Sequence, residues 1–132
     1  MTNRGEVAPW RISQIALNVG DLDAAVAFYR DTLGVPFIAR ATPGLAFFDC
    51  DGVRLMLSAN AGAGSSGCAL YFKVPDIERR YGELQGCGVT FDGPPQVIHS
   101  ADDYELRMAF FRDPAGNQLA IMAEQGVYRG QG

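Results

Sequence analysis

The chain has 132 residues and a single histidine, so acid–base chemistry near neutral pH would depend on very few side chains. His99 could serve as a general base, because an unperturbed imidazole has a pKa of about 6.5. Glu105 and Asp49 are candidate carboxylates, but their spacing does not bring them together with His99. The pattern leaves three interpretations of His99: a loop-anchoring histidine, a general base or a metal ligand. It identifies no catalytic group, and His99 and Glu105 remain the candidates.

Three cysteines could in principle hold a metal or form a disulfide, but their pattern favours neither. Cys50, Cys68 and Cys87 form no CxxC pair and have no histidine partner at metal-ligand spacing. The polar segment 1–9 lacks the apolar stretch of a secretory signal. Unpaired cysteines without an export signal are typical of a reducing compartment. We therefore expect a cytoplasmic protein whose three thiols are free and buried.

The overall charge and hydropathy exclude two classes of partner. The formal net charge is −4 and the chain has no block of lysine and arginine, which argues against binding to nucleic acid. The longest apolar run falls well short of the roughly 20 residues that a membrane-spanning helix needs. The length suits one compact domain with its own core. We therefore expect the partner to be a small molecule, not nucleic acid or a membrane.

An internal repeat divides the chain into two halves. Residues 15–22 (IALNVGDL) match residues 70–77 (LYFKVPDI), and each segment combines an alternating strand with the start of a helix. The matching aspartates, Asp21 and Asp76, are suited to cap those helices. The repeat therefore predicts two copies of one structural unit.

The two helices have matching stop signals. The first is predicted over residues 22–33, with Gly34 just beyond its end. The second is predicted to begin after Asp76 and to end at Gly86.

Three strand-like runs follow each helix, which gives the order βαβββ twice. The runs are residues 36–41, 45–50 and 53–59, then 89–98, 104–112 and 117–123. This order predicts an α+β fold in which two βαβββ modules form a cupped, barrel-like mixed sheet with the helices outside. The expected organisation is a flexible tail 1–9, a first module 10–60, a Gly/Ser linker 61–67, a second module 68–124 and a C-terminal tail 125–132.

The linker contains a spacing that could also indicate a dinucleotide site. Its sequence AGAGSSG satisfies G-x-G-x-x-G, which cradles a pyrophosphate when it lies between a strand and a helix. A strand follows here, so the segment is interpreted as a flexible linker.

Alternation along the strands separates two faces of the predicted sheet. One face is uniformly apolar and should pack under the helices. The other, which we call the mixed face, carries amides, cations, methionines and small residues: Gln14, Ala16, Asn18, Arg54, Met56, Ser58, Ala69, Tyr71, Lys73, Gln118, Ala120 and Met122. Curling the modules together would place the mixed face inside a cup suited to a small molecule. An ordinary solvated sheet face or a dimer surface is the alternative.

Several side chains near this face have two interpretations each. Arg54 and Lys73 could bind a carboxylate or phosphate, or they could reach solvent at the rim of the cup. Aromatic residues could stack on a planar ligand or fill the core or an interface, and methionines could form an adaptable apolar floor. These residues are Trp10, Phe47, Tyr71 and Phe111, and Met56, Met108 and Met122.

Two motifs resemble a known superfamily. They are I-A-L-N-V-x-D-L-x-x-A-V-x-F-Y-x-x-x-L-G over residues 15–34 and F-F-x-D-P-x-G-N-x-L-x-I over residues 110–121. Together with the paired modules, they are similar to the vicinal oxygen chelate superfamily, which includes glyoxalase I, methylmalonyl-CoA epimerase, extradiol dioxygenases and the bleomycin and fosfomycin resistance proteins. The resemblance covers about residues 10–124 and implies the fold more strongly than any one chemistry.

The resemblance also implies where a metal would be held. In metal-dependent members, ligands occupy the first inward position of each opening strand and a position on each closing strand, which here are Gln14, Ala69, Met56 and Ala120. Glutamine could serve as a ligand, but a thioether and two methyl groups do not complete a site for a divalent ion. We therefore expect no metal and no cofactor.

The leading functional hypothesis is a metal-free protein that binds a small molecule in the cup, similar to the bleomycin-resistance branch. The alternative is a divergent glyoxalase-, epimerase- or dioxygenase-like enzyme, in which His99, Glu105 or Tyr71 would transfer protons; a dimeric scaffold is a third possibility. A homodimer is expected from the resemblance. The acidic net charge favours a cationic ligand, whereas Arg54 and Lys73 favour an anion. The expected ligand-binding residues are Gln14, Arg54, Met56, Ala69, Tyr71, Lys73, Met108, Gln118 and Ala120.

Overall fold

The order βαβββ occurs twice along the chain, as the repeat predicts. A computed structural model describes residues 10–60 and 66–126. The first module contains β1 (Gln14–Asn18), α1 (Leu22–Val26), β2 (Phe37–Ala41), β3 (Leu45–Cys50) and β4 (Val53–Ser58). The second contains β5 (Ala69–Lys73), α2 (Ile77–Gly86), β6 (Gln96–Ala101), β7 (Tyr104–Arg112) and β8 (Gln118–Gly126). None of the helices in the described ranges is long and apolar enough to cross a membrane.

Each module forms its own four-stranded mixed sheet. The strand orders are β1-β4-β3-β2 and β5-β8-β7-β6, and the first strand of each module runs parallel to the last. The α+β class and the paired modules are confirmed, but the two sheets do not join into a closed barrel. At one end of β1, one side chain of the linker and one of the second module take the place of a partner strand. The Asn18 amide donates to Ser66 Oγ at 2.5 Å, and the Asn18 carbonyl accepts from Asn117 Nδ2 at 2.9 Å.

Both predicted helix caps are confirmed. The Asp21 carboxylate accepts a hydrogen bond from the Ala24 amide at 3.1 Å, and the Asp76 carboxylate accepts one from the Arg79 amide at 3.2 Å. Each bond satisfies an amide in the first turn, which has no partner within the helix itself.

The first helix differs from the prediction in its second half. It is α-helical only over Leu22–Val26 and continues as a π-helix over Ala27–Thr32, where the Leu33 amide donates to the Phe28 carbonyl, five residues earlier. Gly34 follows with φ +78°, so it ends the helix as predicted. A π-turn places one more residue in each hydrogen-bonded ring than an α-turn does, and such turns are frequent at functional sites.

The second helix ends where the sequence predicts. Gly86 is its last residue, and the left-handed backbone conformation falls on Gly88, with φ +94°. The predicted end of the helix at Gly86 is therefore confirmed. A left-handed residue beyond the last turn is the usual helix end, and both glycines were suitable by type.

The apolar faces of both sheets and both helices enclose one shared core. The rings of Phe28 and Phe111, from different modules, lie 6.5 Å apart between centroids. The largest fully buried side chains come from both halves: Leu17, Val26, Tyr29, Phe48, Leu55, Leu57, Phe111, Asn117 and Leu119.

A buried carboxylate joins the modules. The Tyr29 hydroxyl donates to Asp113 Oδ2 at 2.8 Å, and Asn117 Nδ2 donates to the same oxygen at 2.8 Å. Asp113 Oδ1 accepts from the amides of Ala115 and Asn117. Burial and the nearby carboxylate raise the pKa of Tyr29 far above the usual range of a phenol, so Tyr29 remains a donor. We call Tyr29, Asp113, Asn117 and the Asn18 carbonyl the Asp113 network.

The strand predicted over residues 89–98 lies elsewhere. The observed strand β6 covers Gln96–Ala101, and the preceding segment forms only a single bridge, between Phe91 and Phe111. Pro94 and Pro95 lack an amide hydrogen and therefore cannot donate to a strand ladder, which moves the strand beyond them. His99 consequently lies within a strand.

The prediction of buried thiols was also wrong. Cys68 and Cys87 are exposed, and only Cys50 is partly buried. Burial, with a smaller effect of the Asp49 charge, raises the pKa of the Cys50 thiol.

Parts of the predicted organisation lie outside the described residues. These are the tail 1–9, residues 61–65 of the linker and residues 127–132 of the C-terminal tail. Strand β8 continues to Gly126, two residues into the predicted C-terminal tail.

Replacing Tyr29 with phenylalanine removes one donor from a buried carboxylate and changes little else. We expect Tyr29→Phe to lower the free energy of unfolding by about 1–3 kcal/mol, the usual cost of leaving a buried polar group short of a partner. Urea denaturation measures the change. The control is Tyr81→Phe, since the Tyr81 hydroxyl accepts only an exposed hydrogen bond from Gln85. Equal losses in both variants would contradict a special role for the Asp113 network.

Candidate functional site

The two mixed faces differ at matching positions of the repeat. In the first sheet, one row across the strands holds Ala16, Met56 and Phe47. In the second sheet, the equivalent row holds Tyr71, Ala120 and Phe110. The large and small residues have therefore changed places on the first two strands of the row.

The second sheet uses that exchange to bring two rings together. Tyr71 and Phe110 lie on either side of Ala120, with ring centroids 6.2 Å apart and ring planes at 84°. Ala120 is only 1% exposed beneath them, while Tyr71 remains 49% exposed. We call these three residues the aromatic corner. A side chain larger than a methyl group at position 120 would separate the rings, because strands in a sheet lie only about 4.8 Å apart.

A polar cluster lies further along the same face. Glu124 Oε1 is 3.2 Å from Lys73 Nζ, and Glu124 Oε2 accepts a hydrogen bond from the Tyr104 hydroxyl at 2.5 Å. The bonds from Tyr104 and Lys73 hold the pKa of the Glu124 carboxyl below its usual range. The ring of His99 lies 6.0 Å from that of Tyr104. We call Lys73, Glu124, Tyr104 and His99 the Glu124 cluster.

Methionines connect the aromatic corner with the Glu124 cluster. Met122 is paired with Lys73 on one side and with Met108 on the other, and both methionines are partly buried. They lie two residues beyond the aromatic row, at a rise of about 3.3 Å per residue. Two methionines of the predicted floor, Met108 and Met122, thus form an apolar strip in the second sheet, whereas the third, Met56, lies in the first sheet.

The opposite end of the aromatic corner is bounded by Ala69, Gln118 and Arg112, which form the next row. The Gln118 amide turns toward the backbone and donates to the carbonyls of Phe111 and Leu119 at 3.2 Å. Arg112 is exposed and donates one hydrogen bond to the Gly116 carbonyl.

The first mixed face is more open. Gln14 Nε2 lies 3.8 Å from Met56 Sδ, and the Arg54 guanidinium lies 5.9 Å from the centre of the Phe47 ring. Gln14 and Arg54 are both exposed. Of the other aromatic residues considered for stacking, Phe111 is buried in the core and Trp10 is fully exposed.

The four positions implied for metal ligands do not fit a divalent ion. Gln14 and Met56 contact each other in the first sheet, whereas Ala69 and Ala120 lie on neighbouring strands of the second. An amide, a thioether and two methyl groups supply neither imidazole nor carboxylate. Residues 10–60 and 66–126 contain no group of three His, Cys, Asp or Glu side chains placed to hold a metal.

The two candidate catalytic residues lie on different faces. His99 pairs with Leu106, on the mixed face, whereas Glu105 pairs with Ser100 and points to the helix side by strand alternation. Asp49 belongs to the first sheet, where it accepts a hydrogen bond from the Gly52 amide.

Sequence reasoning did not single out Tyr104, Phe110 or Glu124. Tyr104 and Phe110 have the same parity as Met108 along β7, which was a usable signal. Glu124 lies one residue beyond the predicted end of the last strand, so its place on the mixed face was not recognised.

A cleft lies between the two modules, beside strand β5. It has a volume of about 910 Å³ and is lined by apolar residues of the helix-facing sides, including Ile15, Leu55, Leu70 and Phe72. Three mixed-face residues of β5 also line it: Ala69, Tyr71 and Lys73. The repeat matches Leu84, which lines this cleft, with Tyr29 of the Asp113 network. Leucine is smaller than tyrosine and has no hydroxyl. The space between the helix and the opposite module is therefore filled less completely beside Leu84 than beside Tyr29. We attribute the cleft to this packing difference.

Comparison with known proteins identifies the superfamily to which this fold belongs. A model of the Glyoxalase/Bleomycin resistance protein/Dioxygenase superfamily matches residues 11–121. The uncharacterized protein YraH of Bacillus subtilis (strain 168) is 29% identical over 126 residues, which cover 84% of this chain and 96% of YraH.

Two solved structures are similar over most of their length. A glyoxalase/bleomycin resistance protein/dioxygenase from Nocardioides superposes with a TM-score of 0.74 at 26% identity, covering 95% of this chain and 91% of that one. A lactoylglutathione lyase from Agrobacterium tumefaciens gives a TM-score of 0.68 at 25% identity, covering 88% and 95%. With the family model spanning nearly the whole chain, the paired βαβββ modules belong to a member of the Glyoxalase/Bleomycin resistance protein/Dioxygenase superfamily.

Proposed function

We propose that the protein binds a small organic molecule on its mixed faces without the help of a metal ion. The observation that carries this proposal is the aromatic corner, in which Tyr71 and Phe110 contact each other above Ala120, one of the positions implied for a metal ligand. The half-exposed ring and the partly buried methionines offer apolar contact area beside charged groups, a combination typical of ligand sites. Binding would then rest on side-chain contacts alone.

The expected binding residues fall into two groups under this proposal. Tyr71, Ala120 and Met108 supply apolar contact, and Lys73 supplies charge in the second sheet. Gln118 and Ala69 lie at the edge of the same site, in the row farthest from Lys73. The remaining three, Gln14, Arg54 and Met56, line the mixed face of the first sheet.

We also propose a homodimer in the cytoplasm. Large apolar side chains are exposed at the outer strands and ahead of β1, including Ile38, Val97, Ile98, Trp10 and Ile12. Exposed apolar surface of this kind favours association with a second copy. Two exposed free thiols, Cys68 and Cys87, suit a reducing compartment.

A second candidate function, a metal-independent enzyme of glyoxalase-, epimerase- or dioxygenase-like type, draws support from the Glu124 cluster. In this cluster the Glu124 carboxylate is held by Tyr104 and Lys73 near His99, and these side chains are able to accept and donate protons. The similarity to a lactoylglutathione lyase points the same way, but the implied metal positions do not fit that chemistry. Chemical conversion of a bound ligand would distinguish this function from simple binding.

Divalent metals test the metal-free part of the proposal. We expect titration calorimetry of chelator-treated protein with nickel, cobalt, zinc, manganese and ferrous ions to detect no stoichiometric site. The threshold is a Kd of about a micromolar, equivalent to roughly −8 kcal/mol. A one-to-one site tighter than this would contradict the proposal and favour the metal-dependent enzymes of the superfamily.

A ligand screen tests binding on the mixed face. We expect some members of a chemically diverse library to raise the melting temperature saturably, since ligand at 100 times its Kd stabilises a fold by about 2.7 kcal/mol. Met108→Glu places a charge in the apolar strip and should weaken binding at least tenfold by calorimetry. Thr90→Glu adds the same charge at an exposed position outside the strands and should leave binding unchanged. Equal effects of both variants, or no saturable ligand, would contradict the proposal.

Light scattering after size-exclusion chromatography tests the dimer. The chain mass is 14.2 kDa, so we expect a particle of twice that mass. Ile38→Glu adds a charge at an exposed apolar position of β2 and should shift the equilibrium toward the monomer if that strand is in the interface. A monomer mass for the unmodified protein would contradict the proposal.

A further inference from the structure

We propose that the aromatic corner is the recognition site for a planar aromatic anion, such as an aromatic carboxylate. This inference rests on the proposed function, because it names the ligand class for the mixed face of the second sheet. Two observations carry it. Tyr71 and Phe110 form a ring pair above Ala120, and a cationic side chain lies on each side of that pair, Lys73 on one side and Arg112 on the other.

The geometry of the ring pair favours a flat ligand. The planes of Tyr71 and Phe110 are nearly perpendicular, with the centroids 6.2 Å apart. A third ring can then pack against the face of one and the edge of the other, and both arrangements are favourable for aromatic pairs. Tyr71 is 49% exposed, so ring surface remains open to such a partner.

The repeat indicates that this feature is specific to the second sheet. The equivalent row of the first sheet combines Ala16, Met56 and Phe47, and therefore has one ring where the second has two. The Arg54 guanidinium already lies near that single ring. We therefore expect one aromatic site per chain.

The charges around the aromatic corner favour an anion. Lys73 lies two residues from Tyr71 along β5, and Arg112 lies two residues from Phe110 along β7, so each cation is about 7 Å along the strand from a ring. The Lys73 ammonium has three N–H groups and its contact with Glu124 uses one of them. Two cations and one carboxylate leave the surroundings locally positive in a chain of net charge −4.

A cationic aromatic ligand is the competing class, and Glu124 is the group that would attract it. Each oxygen of Glu124 already has a partner, Oε2 the Tyr104 hydroxyl and Oε1 the Lys73 ammonium. An incoming cation would have to compete with these partners and would also meet Lys73 itself. An incoming carboxylate meets an ammonium with N–H groups to donate.

Two probes with the same ring system distinguish the classes. Calorimetry with 2-naphthoate and with 2-naphthylmethylammonium compares an anion with a cation of nearly equal shape. We expect 2-naphthoate to bind at least tenfold more tightly. Lys73→Met keeps most of the apolar stem and should reduce that preference severalfold. Arg79→Met is the matched control, because Arg79 is also an exposed cation paired with a glutamate, but on α2.

Two variants test the aromatic contact itself. Tyr71→Ala removes a half-exposed ring and should weaken naphthoate binding about fivefold to tenfold, in line with the strength of an aromatic pair. Ala120→Met copies the residue of the first sheet, separates the rings and should weaken binding similarly. Thermal melting of each variant verifies that it is folded.

The outcomes separate this inference from the proposed function. Equal affinity for the two probes, tighter binding of the cation, or naphthoate binding unaffected by Tyr71→Ala would overturn the aromatic-anion site. If screened ligands of another class bind and respond to Met108→Glu, the inference fails and the proposed function stands. If no ligand of any class binds, both fail.

Discussion

A buried carboxylate with four hydrogen-bond donors is the constraint on which the rest of the fold depends. An ionised group removed from water is strongly unfavourable unless its oxygens are satisfied. Asp113 meets this requirement with the Tyr29 hydroxyl, the Asn117 side chain and two amides of its own turn. Since these donors come from the helical segment of one module and the β7–β8 turn of the other, satisfying one charge fixes how the modules are joined.

Local signals in the sequence predicted local features well. The repeat predicted the order of elements, and Asp21 and Asp76 were identified as caps because a capping bond involves residues only three apart. Features that depend on contacts distant in sequence were missed. The π-helical half of the first helix lies where Phe28 and Tyr29 both meet the second module, and no local propensity specifies that contact. Exposure of Cys68 and Cys87 likewise depends on how the surrounding chain packs.

The candidate site shows the same contrast between features that follow from local sequence and features that depend on distant contacts. Strand alternation assigned Tyr71, Lys73 and Ala120 to one face, because side-chain direction follows from position along a strand. It could not predict that Tyr71 and Phe110 would meet above Ala120, since that contact depends on the register of three strands. Likewise, the two sheets remain separate because the strands of each module pair only with one another. The strand patterns in the sequence do not reveal which strands pair.

The difference in packing beside Tyr29 and beside Leu84 has a mechanical consequence. At one end of β1, Asn117 of the second module donates to the Asn18 carbonyl and Ser66 of the linker accepts from the Asn18 amide, while the cleft of about 910 Å³ separates apolar surfaces elsewhere between the modules. A rigid displacement of one module would therefore pivot about the bonded end and change the width of the cleft. Distances within each sheet would be preserved, because every strand ladder belongs to one module. The Tyr71–Phe110 pair lies wholly within the second sheet and would keep its internal geometry, but Tyr71 also lines the cleft, so the space in front of its ring would change with such a movement.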